Sequence, residues 1–529
     1  AGVLSAGASS SISGTTAAAT AFRVSASNAT VNYGGTIIAT TGTGVNLSGN
    51  TGSSINFSGA LTLSTGANAA FTASGGGTVT ATDTSSTLVT TTATALSVVN
   101  TTIGASGLKF RSISAGTAGS GPSSGIVLNN TGAAGGLTVS GTGSAGSGGV
   151  IQKATAPGIS LTSTFGTSLS FMNVINGTDD GINASSATNL SLTSLQVTNN
   201  GDSVTDEGLE LLNAGGTLTI SNTSVTGSAH NNLFLDNASG TISAMNISGS
   251  HFDNNSVANG NHGALMQFRG TSQLTAATLS GNTFSGNRSI GLQVTGGDTA
   301  TVGTFTVQNN TFTNEQIALD FSKAQTSNMT LKFLSNTITG QNSHGMNLFT
   351  AAGAGTTGVF NATVQGNTIG NQAVASSGSA IGNCMRINVN GDADATVLVD
   401  NNTLRQCPNG RGIEAIGRNG TGGLDITITN NNVNPQDTSG FPLAAIFVQS
   451  NALSVPNKVR SDVRGNTTPT GTAFDLLSGY IQIVETGTST SELVGSGATC
   501  AAQLASTNTG STAASAGCAI IPGPISTPP

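Results

Sequence analysis

Between Thr278 and Thr468 one phrase keeps returning: an apolar residue, two or so polar ones, an Asn usually followed by Thr, then another apolar residue. It reads LSGNTF (279–284), VQNNTF (307–312), FLSNTI (333–338), VQGNTI (364–369), VDNNTL (399–404), ITNNNV (428–433) and VRGNTT (463–468). Registered on the last residue, the copies align Asn282, Asn310, Asn336, Asn367, Asn402, Asn431 and Asn466, at intervals of 26 to 35 residues. A period of that size points to stacked supersecondary units and not to one globular core. Short alternating apolar runs inside each period make the units strands. The sequence therefore predicts an all-β chain, a right-handed parallel β-helix whose hand follows from the bias of parallel crossover connections.

The aligned Asn has a physical role in such a fold. Where a coil turns from one face to the next, backbone N–H and C=O groups point inward, away from water. A buried amide carries two donors and an acceptor that can satisfy them and bond the Asn of the next coil. Asn also tolerates the left-handed backbone that such corners require. A structural Asn ladder is the expectation for the seven aligned positions.

Composition agrees with a solenoid. Of 529 residues 74 are Gly, 7% are charged and none is Trp, against about 25% charged residues in an ordinary globular domain. Disordered chains are rich in charge and Pro, whereas here Val, Ile, Leu and Phe recur at short, even spacing. At about 25 to 30 residues per coil the chain supplies roughly 17 coils. The net charge is −7 and Lys and Arg form no cluster, which argues against nucleic-acid binding. No run of apolar residues is long enough for a transmembrane segment, and no signal-peptide pattern opens the chain. A first residue that is Ala suggests a mature segment of something longer.

Three segments differ in texture. Residues 1–125 carry apolar pairs every 7 to 10 residues, such as Ile55/Phe57 and Leu61/Leu63, and read as slim coils with one short strand on each of three faces. Residues 126–485 add a Gly-apolar strand to each coil, for example GIN (181–183), GLEL (208–211), GMNLF (345–349) and GIEAI (412–416). Residues 486–529 read as a small-residue segment ending in a Pro-rich linker. The first 20 or so residues show no capping helix and read as a loose extension, or as a strand that pairs outside this segment. The longest loops are expected around 351–358 and 371–380. Cys384 and Cys407 lie 23 residues apart, close to one coil, and Cys500 and Cys518 bracket a loop of small residues, so two disulfides and an oxidising location are expected.

The phrases GTGVNL, NTGSSINFSGALTLSTG, GGGTVTAT, GIVLNNTG and GGLTVSGTGSAGSGGVIQ, followed by GTDDGIN and the NNT-type coils, resemble the β-helix regions of very large bacterial surface proteins of the β-strand-repeat, autotransporter-like adhesin kind. The resemblance covers nearly the whole chain. It implies an extracellular or cell-surface stalk, fibre subunit or adhesin with no enzyme activity, no cofactor and no metal. The implied partners are neighbouring domains or further copies of the same protein, with cell-surface glycans as a further candidate.

β-Helices also carry lyases, hydrolases and tailspikes, so a polysaccharide-active enzyme or tailspike-like glycan binder is the alternative. The residues just before each Gly-apolar strand should stack in one column that includes Asp179, Asp180, Asp206, Glu207, His230, His262, Glu315 and His344. Adjacent coils would bring Asp180 and Glu207 to about 5 Å, a separation compatible with a retaining glycosidase pair or a hard-cation site. GTDDGI is slightly similar to the paired aspartates of polygalacturonases, but that family's Gly-His-Gly and Arg-Ile-Lys elements are missing. The simpler expectation is a strand edge on the solvent side, where a charge-poor protein puts its few charges. Thr pairs such as Thr78/Thr80 suggest an ice-binding lattice only if coil length is constant, and the spacing varies.

Overall fold

The computed structural model describes residues 2–14, 16–17, 19–255, 261–351, 355–435, 443–452, 457–469 and 480–529. Strands account for 54% of the chain and helix for 2%, with parallel coils stacked as a β-solenoid of about 17 turns. The chain divides into two compact units, residues 1–235 with 242–260, and residues 236–241 with 261–529.

One coil of the second unit shows why this sequence folds as it does. Thr301–Gln308 lies in a first sheet, A; Thr311–Thr313 in a second, B; and Ile317–Lys323 in a third, C. Along each strand alternate side chains enter the core, as Val302, Phe305, Val307, Phe312, Leu319 and Phe321 do here, each 1% exposed or less. Each strand then pairs in parallel with its equivalent in the next coil: Phe305 with Leu331, Phe312 with Ile338, Phe321 with Leu348. Like side chains therefore stack on like. The Phe284 and Phe312 rings lie parallel with centroids 4.8 Å apart.

The first unit follows the same plan with lighter strands. Ile55 pairs with Val79, Leu63 with Leu88 and Phe71 with Leu96, one strand per sheet per coil. Here the aromatic core is a chain of edge-on contacts, Phe22 to Phe57 to Phe71 to Phe110, with centroids 5.1 to 6.2 Å apart.

Both chain ends depart from the expectation. The first residues form no loose extension: Val3–Ala6 pairs with Thr30–Tyr33, Ser11–Gly14 with Thr36–Ala39, and Thr20–Ser25 with Thr43–Ser48. Alternation too weak to show in so light a composition is enough once the next coil supplies hydrogen-bond partners. The segment 486–529 is likewise no simple linker. Thr490–Val494, Ser511–Ala514 and Ala519–Ile521 continue the sheets, and Cys500–Thr507 is a helix whose N-cap Thr499 hydroxyl accepts the Ala502 N–H. Even the final stretch is held, since the Ser526 N–H donates to Asp425 and Ile525 is 8% exposed.

Coils lengthen in the second unit at the corners beside sheet C. Residues 370–384 precede Met385–Asn390, and 351–358 follow His344–Thr350, with 352–354 outside the described residues.

Candidate functional site

At the corner from sheet A to sheet B the backbone needs a left-handed residue, and the residue before each aligned Asn supplies it. Gly281, Asn309, Ser335, Gly366, Asn401, Asn430 and Gly465 have φ between 54° and 69°. The aligned Asn itself does not. Its side chain turns inward, and its backbone N–H and Nδ2 both donate to Oδ1 of the next Asn. The distances run from 2.8 to 3.1 Å from Asn282 through Asn310, Asn336, Asn367, Asn402 and Asn431 to Asn466. Nδ2 also donates backward to a buried carbonyl, as Asn336 does to Val307 at 2.9 Å. The ladder has one rung the repeat does not reveal: Asn466 donates to Asn508 at 3.0 Å. Asn508 is the C-cap of the terminal helix, so no Asn-Thr phrase marks it.

The acidic column has a different character from the one expected. Asp180, Asp206, Glu207, His262 and Glu315 are all 7% exposed or less, not on a solvent-side edge. The reason is backbone capping. Asp180 Oδ1 accepts the Glu207 N–H at 2.6 Å, and Glu207 Oε2 accepts the Asn231 N–H at 2.5 Å. Further along, His262 Nδ1 accepts the Ile290 N–H at 3.3 Å, His344 Nδ1 accepts the Asn383 N–H at 3.0 Å, and Asn383 Oδ1 accepts the Arg411 N–H at 2.8 Å. Each side chain receives a backbone donor of the following coil, which makes this column a second ladder built from mixed acceptors. An accepting Nδ1 requires a neutral imidazole, and burial pushes the His344 pKa down accordingly. Asp179 and Asp206 act locally: Asp179 caps the Asp180 N–H, and Asp206 Oδ2 takes the N–H groups of Asp202 and Ser203 at 2.9 Å.

Glu210 joins this region although nothing in the repeat marks it. Glu210 pairs in register with Asn183, whose amide donates to both Asp180 Oδ2 and Glu210 Oε2. Burial, then the Asp180 charge, raises the Glu210 carboxyl to about 8; burial raises Asp180 to about 6 and also raises Glu207. His230 Nδ1 sits 2.9 Å from Glu207 Oε1. Aligning GIN (181–183) with GLEL (208–211) would have placed Glu210 beside Asn183. Among the described residues no group of three or more His, Cys, Asp or Glu is arranged to hold a metal ion.

A second cluster lies on the outward side of sheet C in the second unit. Asp320, Asn347, Arg386, Glu414, Phe447 and Gln482 follow one another coil by coil in register. Arg386 Nε lies 3.7 Å from Glu414 Oε1, Arg411 bonds Glu414 Oε2, and the Arg411 guanidinium carbon sits 3.8 Å over the Phe447 ring. Beside them Ile416, Ala444 and Phe447 form a small apolar cluster against which Tyr480 and Val484 pack. Burial raises the Asp320 and Tyr480 pKa values. In the sequence these strands read as core packing, because the alternate apolar positions dominate GMNLF and GIEAI.

Cys384–Cys407 and Cys500–Cys518 are disulfides, with Cα atoms 5.6 and 6.2 Å apart, and no cysteine is free. No helix is long and apolar enough to cross a membrane among the described residues. No family model, curated protein or solved structure matches the chain.

Proposed function

We propose that this chain is an extracellular part of a bacterial surface protein with a structural and adhesive role: a stalk, fibre subunit or adhesin passenger. The continuous hydrogen-bonded ladder from Asn282 to Asn508 carries this reading. It commits one buried amide per coil to holding coils in register, a device for a stiff scaffold. Two disulfides support an oxidising location. Capping of backbone donors by Asp180 and Glu207 leaves the acidic column with a structural task. Partners under this reading are neighbouring domains or further copies of the same protein, and glycans at a cell surface.

A polysaccharide-active enzyme is the second reading, favoured by one observation: Asp180 and Glu210 share a hydrogen-bonded site with pKa values of about 6 and about 8, a split suited to acid and base roles. One experiment separates the two. Beads coated with the chain are tested for retention on glycan-bearing surfaces, and the soluble chain is assayed for reducing ends and unsaturated products from a panel of polysaccharides. Retention without product supports the adhesive role. Product that disappears in Glu210→Gln establishes the enzyme instead, and neither retention nor product overturns both.

A further inference from the structure

We propose that the outward face of sheet C in the second unit binds a linear, carboxylate-bearing oligosaccharide. Arg386, Arg411 and Arg418 meet its carboxylates, Asn347 and Asn388 its hydroxyls, and Tyr480 a sugar ring. This rests on the adhesive reading above and names the ligand class for it.

Four observations converge. First, polar atoms on this face lack partners: Asn347 Oδ1, Asn388 Oδ1, Arg411 Nε and Arg418 Nε are buried and make no hydrogen bond. Asn347 is 8% exposed and Asn388 3%, although both occupy outward positions between core-facing neighbours such as Met346, Leu348, Ile387 and Val389. Buried polar atoms are satisfied in the great majority of structures, and these four lie on three successive coils of one face, Asn347 on the first, Asn388 on the second, Arg411 and Arg418 on the third, so they mark a line along which an outside group completes the bonding.

Second, the missing partners are of both kinds. The amide oxygens need donors and the guanidinium nitrogens need acceptors. A hydroxyl does both, and a carboxylate meets a guanidinium fork with two parallel bonds.

Third, the charge is locally positive in an acidic protein. Three guanidiniums face two carboxylates, Glu414 and Asp320, whereas the whole chain carries −7. Arg386 and Arg411 side chains are 33% and 25% exposed, so they remain reachable.

Fourth, the apolar patch of Ile416, Phe447, Tyr480 and Val484 borders these polar groups, and an aromatic face beside directed polar groups suits the apolar face of a sugar ring. The partners repeat along the stack at about 4.8 Å per coil, which favours a linear chain over a compact ligand. An acidic peptide would gain most from adding a strand to a free sheet edge, and the outward face of a paired sheet offers none.

Titration calorimetry on the full chain tests this with three probes of equal length: a hexamer of galacturonate, neutral maltohexaose and hexaglutamate. The uronate should bind, more weakly at high ionic strength, while the neutral sugar gives no heat and hexaglutamate binds much less tightly. Arg386→Gln, Arg411→Gln and Arg418→Gln should each weaken uronate binding by roughly tenfold or more, because each removes a charge-assisted bond to a carboxylate. A melting curve accompanies each variant. Because Arg411 stacks on Phe447, a destabilised Arg411→Gln leaves the decision to the other two. Absence of uronate binding, equal binding of hexaglutamate, or unchanged affinity in the correctly folded variants overturns the proposal. Coated beads that still adhere in that event show that only the ligand class is wrong, whereas loss of adhesion as well removes the adhesive function itself.

Discussion

The two units solve the same corner with different chemistry. In the first, the inward position between sheets A and B is held by Leu195, Thr223 and Ser250: the Leu195 N–H donates to the Thr223 hydroxyl at 3.3 Å, and the Thr223 N–H to the Ser250 hydroxyl at 3.2 Å. In the second, the position is Asn in every coil, and each Oδ1 accepts two bonds from its neighbour. The outward row of sheet C differs too. In the first unit it runs Asn46, Thr72, Ser97, Val127, Ser160, Asn183 and Glu210, in the second Leu265, Gln293, Asp320, Asn347, Arg386, Glu414 and Phe447. All four cysteines belong to the second unit. The coil plan demands only that inward N–H groups be met. That corner is two residues long in both units, as at 194–195 and 309–310, so a hydroxyl and an amide meet the same need there; the second unit adds both disulfides and, on the outer face of sheet C, the arginine cluster.

This contrast can be broken in several ways. The largest effect should come from reduction, because each disulfide contributes about 2–4 kcal/mol. Native-state hydrogen exchange under reductant should lose protection at the ladder amides Asn402 and Asn431 and keep it at Leu195 and Thr223. Equal loss at both places would abolish the distinction. Next, Asn336→Ala leaves the Asn310 N–H, the Val307 carbonyl and an Asn367 acceptor short of partners, and should cost about 1–3 kcal/mol in a denaturant titration. A near-zero cost would remove the ladder as a stabilising device.

Acid should move the two units in opposite directions at identifiable groups. Asp180 and Glu210 have folded pKa values of about 6 and about 8, above unfolded values of about 3.9 and 4.3. Their contribution is full below the unfolded values and is lost as pH rises through the folded ones. The His344 pKa is lowered by burial. Its contribution is present above the unfolded value of about 6.5 and is lost as pH falls below that toward the folded value. Acidifying from about pH 8 to about pH 5 should therefore raise exchange protection around Glu207 and lower it around Asn383, whose N–H His344 accepts. Glu210→Gln should remove most of the first change, and an unaltered profile would show that the shared carboxyl site does not govern it. The smallest effect belongs to Thr223→Val, which removes one hydroxyl and should cost about 1 kcal/mol. A loss as large as that of Asn336→Ala would erase the difference between the two corners.

What the sequence by itself determined was whatever repeats along it. The Asn phrase marks the inward corner because every coil faces the same unsatisfied backbone there, so the residues chosen are alike and their period is visible. The alternating apolar residues mark three faces for the same reason. The tertiary structure alone decided what depends on contacts between non-repeating residues. Asn508 joins the ladder from a helix cap. Val3–Ala6 becomes a strand only because Thr30–Tyr33 lies beside it. Asp180, Glu207, His262 and His344 look like surface charges in the sequence, yet each takes a backbone donor from the next coil and is drawn inward. Glu210 meets Asp180 through Asn183, and Arg411 meets Phe447 and Glu414, across insertions whose lengths vary from coil to coil. Periodicity transmits the backbone's needs into sequence because they recur. A site made once, by side chains from corners of unequal length, leaves no period to read.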